Sequence, residues 1–197
     1  MVTQSNKVIA VILVIALIAA LGVFIYVNLS KQTSTPSGGT APKTPLLTVS
    51  YNGNQWNYTL IELKDLPVMT GSGSYIKLKL LPSVNINGPY NFTGVNIAVL
   101  LDSIQNLPSN YSVISTSSDN YTFTYTYDQV HGNVYVYDAS GNVTGNNDVV
   151  MLLAYQQDGH DITDPTIGPL RIVFVDHGAI TSSSLWSKSV VSLEIVR

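Results

Sequence analysis

Residues 148–175 constrain the fold of this chain more than any other stretch. Their sequence, DVVMLLAYQQDGHDITDPTIGPLRIVFV, places two apolar runs on either side of a polar loop. The runs, 149–155 and 170–175, have the length and the apolar, partly β-branched composition of buried strands. Asp158-Gly159 can adopt the positive φ angles of a tight turn. We therefore predict that residues 149–155 form a central strand of a sheet and that residues 170–175 form a second apolar strand.

One hairpin signal and two helix signals precede this stretch. Asn52-Gly53 is typical of a two-residue turn between antiparallel strands. Thr59 and Glu62 have the spacing of a capping box, which predicts a short helix. Asn96 can cap a second helix, whose apolar residues recur at i, i+3, i+4 and i+7. The sequence therefore predicts two short helices before the middle of the chain.

Most of the remaining chain has the composition of strands. Segments rich in β-branched and aromatic residues are separated by Ser, Asp, Asn and Gly, which favour turns. These segments are residues 75–80, 111–115, 121–127, 134–137 and 190–196. We predict the fold class α+β: a mostly antiparallel β domain with two short helices, which follows one N-terminal transmembrane helix.

The transmembrane prediction is based on residues 8–29, which are apolar and carry no charge. A helix of this length spans about 33 Å, enough for a hydrocarbon core of roughly 30 Å. A cleaved signal peptide is the alternative, but its apolar region is usually shorter, roughly 7–15 residues. We predict an uncleaved anchor, with residues 1–7 as a short cytoplasmic tail. The membrane is thus the first predicted partner.

We predict that residues 30–45, SKQTSTPSGGTAPKTP, form a flexible linker, because they have almost no apolar side chains to bury. A coil of this length keeps its ends roughly 20–24 Å apart. We predict that residues 46–197 form an extracytoplasmic domain of a single-pass protein in the cell membrane. Asn-x-Ser/Thr sequons, which are acceptors only in exported chains, agree with this orientation. They begin at Asn28, Asn57, Asn91, Asn110, Asn120 and Asn142.

The composition excludes several kinds of chemistry. The chain has no cysteine, so it has no disulfide, no thiolate metal ligand and no cysteine nucleophile. Its formal net charge is −3, and no basic cluster follows the path of a phosphate backbone. We therefore expect no nucleic-acid partner.

Several segments, taken in order, resemble the molybdopterin-binding domain of sulfite-oxidase-like oxidoreductases. The family opens on a hairpin and a short helix that ends in Leu-Pro, and it continues with an aromatic-x-Gly-Val segment that enters an amphipathic helix. It later has a strand, a turn and a Gly-Pro-x-Arg pattern, and it ends with a Lys before the last strand. The matching residues are Leu66-Pro67, Phe92-Thr-Gly-Val95, Ser118-Asp-Asn-Tyr121, Leu153-Ala-Tyr155, Gly168-Pro-Leu-Arg171 and Lys188.

The resemblance implies that Arg171 and Lys188 contact the cofactor. In the family such basic residues meet the anionic phosphate of the pyranopterin, a role that suits the forked guanidinium of Arg and the point charge of Lys. The same two residues would serve for another small anionic ligand. Alternatively, they lie on strand ends and are solvated or paired with Asp164 or Asp176.

The sequence also departs from the family. Active members ligate molybdenum through a Cys that precedes the aromatic-x-Gly-Val segment, whereas residues 80–83 here contain no thiol. A Ser hydroxyl does not replace a soft thiolate ligand. A His often found before the Gly-Pro-x-Arg pattern is also missing, with Thr166 near its place. We therefore predict no catalytic residues and a non-catalytic or ligand-binding role.

The sequence leaves alternatives open for the function. The chain could be an active molybdopterin-dependent oxidoreductase that holds its cofactor without a protein thiolate, so whether it is an enzyme and what cofactor it binds stay open. A pilin-like surface subunit is a further alternative, since an apolar helix precedes a β-rich domain. The linker residues 30–45 and the single Lys7 before the apolar run are unlike that class.

Two further patterns have a functional and a structural interpretation. The acidic loop 158–164 contains oxygen ligands and His160, but it lacks the spacing of a calcium loop and is better explained as a turn. The tyrosines between Tyr121 and Tyr137 are typical either of a binding face or of a half-exposed sheet. We predict no metal site.

Overall fold

The computed structural model describes residues 45–77 and 84–197, with only the backbone of His177. Within these residues the chain forms thirteen strands, three short α-helices and one 3₁₀ turn. The helices are α1 (Leu60–Asp65), α2 (Ile97–Asp102) and α3 (Tyr127–Val130), and the 3₁₀ turn is Ser183–Leu185. The strands are β1 (Leu47–Tyr51), β2 (Asn54–Tyr58), β3 (Val68–Lys77), β4 (Asn85–Asn96), β5 (Ser112–Ser117), β6 (Thr122–Thr126), β7 (Asn133–Tyr137), β8 (Val143–Asp148), β9 (Val150–Gln157), β10 (His160–Asp161), β11 (Arg171–Val175), β12 (His177–Ser182) and β13 (Val190–Val196).

The strands form two sheets that share one hydrophobic core. The five-stranded sheet has the order β2-β1-β13-β5-β6. The eight-stranded sheet has the order β10-β9-β4-β3-β12-β7-β8, and β11 also pairs with β9. Most neighbours are antiparallel, but β1 pairs with β13 and β3 with β12 in parallel. One cluster of buried apolar side chains includes residues of both sheets.

The two apolar strands predicted from the sequence are present as β9 and β11. They pair antiparallel, with Arg171 opposite Ala154 and Val175 opposite Val150. All five residues of β11 are buried, as are residues 151–155 of β9. Because both faces of these strands are covered, their sequences read as continuous apolar runs and not as alternating ones.

The local helix and turn signals are confirmed. Thr59 Oγ1 accepts from the backbone N–H of Glu62, and a carboxylate oxygen of Glu62 accepts from the N–H of Thr59, which completes the capping box of α1. The Asn96 side chain caps α2 by accepting from the N–H of Ala98. Asn52 and Gly53 both have positive φ, 53° and 82°, at the β1–β2 turn.

The predicted α+β class is wrong. The described chain is mostly β, and its helices contain only four to six residues each, about 6–9 Å at 1.5 Å per residue. Such helices cap strand ends and are too short to form a covering layer, so the two sheets supply the core. A third helix, α3, begins at Tyr127, where the sequence predicted the end of a strand, because Thr126 and Gln129 form a second capping box.

A glycine explains the close packing of β4 on β9. Gly94, in the Phe92-Thr-Gly-Val segment, pairs with Ala154 in the register of the two strands. A Cβ placed on Gly94 would collide with the carbonyl oxygen of Leu153. Only glycine therefore allows the two backbones to approach this closely.

The predicted anchor, residues 8–29, lies outside the described residues, as do the tail 1–7 and linker residues 30–44. Among the residues that are described, no helix is long and apolar enough to cross a membrane.

Candidate functional site

Arg171, at the first position of β11, is a cation in the protein interior. The residue is 4% exposed. Its Nη1 donates a hydrogen bond of 2.8 Å to Oε1 of Gln157, the last residue of β9. Its buried Nε has no hydrogen-bond partner among the described residues. A buried N–H without a partner is unusual in a folded protein, because water no longer compensates for it.

Aromatic rings surround the Arg171 guanidinium. Its central carbon lies 5.6 Å from the ring centroid of Phe92 and 5.8 Å from that of Trp186. These two rings meet edge to face at 5.5 Å, and Trp186 also contacts Tyr75 at 4.9 Å. Attraction between a cation and an aromatic face contributes about 0.5–2 kcal/mol per pair. The cage therefore stabilises the cation partly, without neutralising its charge.

The charge of Arg171 has no acidic partner in the described part of the chain. The ion pair present there joins Lys64 to Asp161. Burial lowers the pKa of the Arg171 guanidinium below its ordinary value, because a charged group loses its hydration in the interior. Its ordinary value is so high that the group stays protonated at physiological pH. The site therefore presents a positive charge with unused hydrogen-bond donors.

Lys188, the second basic residue identified from the sequence, lies at the surface. It lines a cavity of about 490 Å³ together with Trp186, Tyr121 and serine hydroxyls of the β5–β6 turn and of the segment before β13. The segment is fixed because the hydroxyl of Ser117 donates a 2.6 Å hydrogen bond to the carbonyl oxygen of Lys188. The cavity is hydroxyl-rich and carries Lys188 as a cation and Asp119 as an anion.

A chain of buried hydrogen bonds holds the segment before β13 in place. The hydroxyl of Tyr125 donates to the carbonyl oxygen of Leu185 at 2.8 Å and lies 2.7 Å from Oγ of Ser187. Ser187 Oγ lies 3.2 Å from the hydroxyl of Ser115. Burial raises the pKa of Tyr125 far above its ordinary value, so this phenol stays neutral and serves as a structural hydrogen-bonding group.

Trp186 lies between the surroundings of Arg171 and the cavity at Lys188, since it belongs to both. Its ring lies over Arg171 and also lines the cavity that contains Lys188. The indole Nε1 donates 2.8 Å to Oγ1 of the fully buried Thr181, which fixes the ring in this position. Arg171 itself is not among the residues that line this cavity. The structure therefore does not bring Arg171 and Lys188 into one cavity, although Trp186 contacts Arg171 and lines the cavity of Lys188.

The alternative pairing with Asp164 or Asp176 is not observed for Arg171. Asp164 accepts hydrogen bonds from the hydroxyl and the N–H of Thr166, 2.7 and 2.8 Å long. These bonds lower the pKa of Asp164, with a smaller contribution from the charge of Lys188. Asp164 therefore shapes the loop before β11, while the cofactor contacts of Arg171 and Lys188 remain predictions.

The acidic loop 158–164 has the structural role that the sequence favoured. Asp158 and Gly159 have positive φ, 51° and 81°, at the β9–β10 turn. Both carboxylate oxygens of Asp161 accept from Nζ of Lys64 at 3.0 Å. In the described ranges, no group of three or more His, Asp or Glu side chains is placed to hold a metal ion.

Sequence reasoning missed the residues that complete the Arg171 site. Trp186 lies two residues before Lys188, and Gln157 directly precedes the Asp158-Gly159 turn, but neither was identified. Phe92 was identified only as part of a resembling motif. Trp186, Gln157 and Phe92 lie in separate segments, so no local sequence pattern predicts that they contact one guanidinium.

Comparisons with known proteins support the fold and do not identify a family or an activity. No protein-family model matches the chain, and no curated protein matches it. Among solved structures, the chain is similar to the sulfane dehydrogenase SoxCD from Paracoccus pantotrophus, with a TM-score of 0.55 and 14% sequence identity. The likeness covers 81% of this chain and 40% of that chain, so this chain spans less than half of its relative. It supports a distant molybdopterin-domain-like fold.

A molybdenum cofactor fits these residues only in part. The unpartnered Nε of Arg171 suits an anionic group such as a phosphate. The metal itself would lack its thiolate ligand, because the chain has no cysteine at any position. Of the groups that such a cofactor would need, the described residues offer the free donor of Arg171, and the chain offers no thiolate.

Proposed function

We propose that this chain is a membrane-anchored, extracytoplasmic domain that binds a small anion on a molybdopterin-domain-like fold and carries out no redox reaction. The observation that carries the proposal is the buried Arg171, whose Nε has no partner and whose charge has no counterion among the described residues. Burying a charge without a counterion is costly. A bound anion would remove that cost.

The ligand class follows from the geometry of the guanidinium. Its Nε and one Nη form a fork that matches two oxygens of a phosphate, sulfate or carboxylate. The opposite Nη1 is held by Gln157, which fixes the plane of the fork. We therefore expect a tetrahedral or planar oxyanion, either free or as a group of a larger molecule.

In this proposal the cavity at Lys188 is the entrance through which the anion reaches Arg171. Lys188, which is exposed, would attract an anion from solution. Trp186, whose ring lies over Arg171, would have to release its hydrogen bond to Thr181 to admit the anion to Arg171. Because the closed state must open first, the apparent affinity is reduced by the open fraction. Anchoring by residues 8–29 and the linker would hold the site near the outer membrane surface.

Titration calorimetry of the full chain with inorganic phosphate tests the anion site. We expect Arg171→Gln to weaken binding by at least tenfold, because the forked donors are lost. Lys188→Gln, the matched control at the entrance, should weaken binding by only a few fold, because an exposed charge contributes little. Equal binding by wild type and Arg171→Gln would contradict the proposal.

The redox part of the proposal is tested separately, by metal analysis of the full chain expressed in a host that makes molybdenum cofactor. We expect no stoichiometric molybdenum or tungsten after purification, because no thiolate is available. A stoichiometric metal content would favour the alternative of an active oxidoreductase.

A further inference from the structure

A second cleft lies on the outer face of the β7–β8 hairpin. It has a volume of about 470 Å³, within the range of small-molecule sites. The hairpin forms one wall, and the opposite wall comes from α3 and from the turn after β12. It shares one lining residue, Ser184, with the cavity at Lys188. Arg171 does not line it.

An exposed tyrosine dominates the hairpin wall. Strand β7 alternates strictly, with Val134 and Val136 buried and Tyr135 60% exposed. Tyr135 pairs with Asn146 across the hairpin, so a phenol ring and a carboxamide lie side by side. Tyr137, two residues along β7, also lines the cleft. The wall therefore combines flat aromatic surface with an amide.

The polar side chains of the cleft have unused hydrogen-bonding capacity. Asn133, Asn146 and Asp128 form no side-chain hydrogen bond with any other residue in the described ranges, although each has donors or acceptors to offer. Gln129 uses its amide oxygen to accept from the N–H of Thr126. Carboxamides supply a donor and an acceptor side by side, and the carboxylate supplies two acceptors.

The charge of the cleft disfavours an anionic ligand. Asp128 lines it, and no Lys, Arg or His is among its described lining residues. This composition is the reverse of the Arg171 site. A neutral ligand with several hydroxyl groups would match the paired donors and acceptors of the carboxamides that line the cleft.

We propose that this cleft binds a neutral carbohydrate. A sugar ring has an apolar face of C–H groups, which packs on an aromatic ring such as Tyr135. Its adjacent hydroxyl groups each donate and accept, and the amides of Asn133 and Asn146 and the carboxylate of Asp128 match them. The site is independent of the anion site at Arg171, so either proposal can fail alone.

The test uses the full chain, solubilised in a detergent without a sugar headgroup, because such a headgroup would compete. Saturation-transfer NMR and calorimetry with maltotriose, cellotriose, chitotriose and mannotriose measure binding. We expect at least one trisaccharide to bind, and Tyr135→Ala to weaken that binding at least tenfold. Asp128→Asn should weaken it several fold, because an amide accepts less strongly than a carboxylate.

Tyr121→Ala is the matched control. Tyr121 is also exposed, at 56%, but it lines the cavity at Lys188 and not this cleft. It should leave the affinity for the trisaccharide unchanged, and thermal melting should show both tyrosine variants folded. If none of the four trisaccharides binds, or if the two tyrosine variants weaken binding equally, the proposal is overturned.

Discussion

Two cations of this protein, Lys64 and Arg171, both lie over aromatic rings but differ in their burial and in the acceptor that binds them. Lys64 lies at the surface and is bound by both carboxylate oxygens of Asp161, which also accepts 2.8 Å from the amide of Gln156. Arg171 lies in the interior and has the neutral amide of Gln157 as its acceptor. The carboxylate of Asp161 thus pairs with the exposed cation, although a counterion would stabilise the buried cation more.

This difference separates a structural role from a binding role. An exposed ion pair contributes about 0.2–1 kcal/mol, because water and salt screen it. A buried cation without a counterion lowers stability, and replacement by an apolar side chain is often neutral or stabilising. Stability alone therefore explains the Lys64–Asp161 pair and does not explain Arg171, which is why we propose that Arg171 serves a ligand.

The largest effect is expected from the adjacent glutamines. Gln157→Leu removes the acceptor of a buried charge and should lower the free energy of unfolding by about 2–3 kcal/mol. Gln156→Leu, the matched control, removes a bond to an exposed carboxylate and should cost less than about 1 kcal/mol. Urea unfolding of both variants measures the contrast. Equal losses would show that the interior and surface cations do not differ as described.

A smaller, pH-dependent effect is expected at Asp161. The hydrogen bonds from Gln156 and Lys64 lower the pKa of this carboxyl group. A lowered pKa in the folded state stabilises the protein above the ordinary value of about 4, and this contribution is lost as the pH falls through the lowered value. Wild type should therefore exceed Asp161→Asn by at most about 1 kcal/mol at pH 7, since the pair is exposed.

Urea unfolding at a series of pH values tests this prediction for Asp161. The advantage of wild type over Asp161→Asn should shrink as the pH falls below the ordinary value of about 4 and disappear once the pH is below the lowered pKa. An advantage that persists or grows in acid would show that the carboxylate does not act through its charge.

The local elements could be predicted where a few neighbouring residues determine the backbone. The capping box of Thr59 and Glu62 and the turn at Asn52-Gly53 are examples. Strand β8, VTGNND, was missed because it is polar and lies at a sheet edge, where no apolar pattern marks it. The predicted α+β class was wrong because capping signals show where a helix begins. They do not show whether the helix is long enough to form a layer.

The candidate site could be predicted only in part. A Gly-Pro-x-Arg pattern pointed to Arg171, but its burial depends on Phe92 and Trp186, which other segments bring to it. An arginine at the start of a predicted strand reads as solvated, because sequence alone does not show that the strand end is covered. The burial of Arg171 therefore depends on long-range packing, which the local sequence pattern does not show.

The most direct test of the central claim is the stability of Arg171→Met with and without phosphate. Without phosphate, the variant should be at least as stable as wild type, because an unpaired buried charge is replaced by an apolar side chain. Phosphate at about 100 times its Kd should stabilise wild type by about 2.7 kcal/mol and leave the variant unchanged. If Arg171→Met is several kcal/mol less stable than wild type without phosphate, and phosphate stabilises neither protein, Arg171 is structural and the account is contradicted.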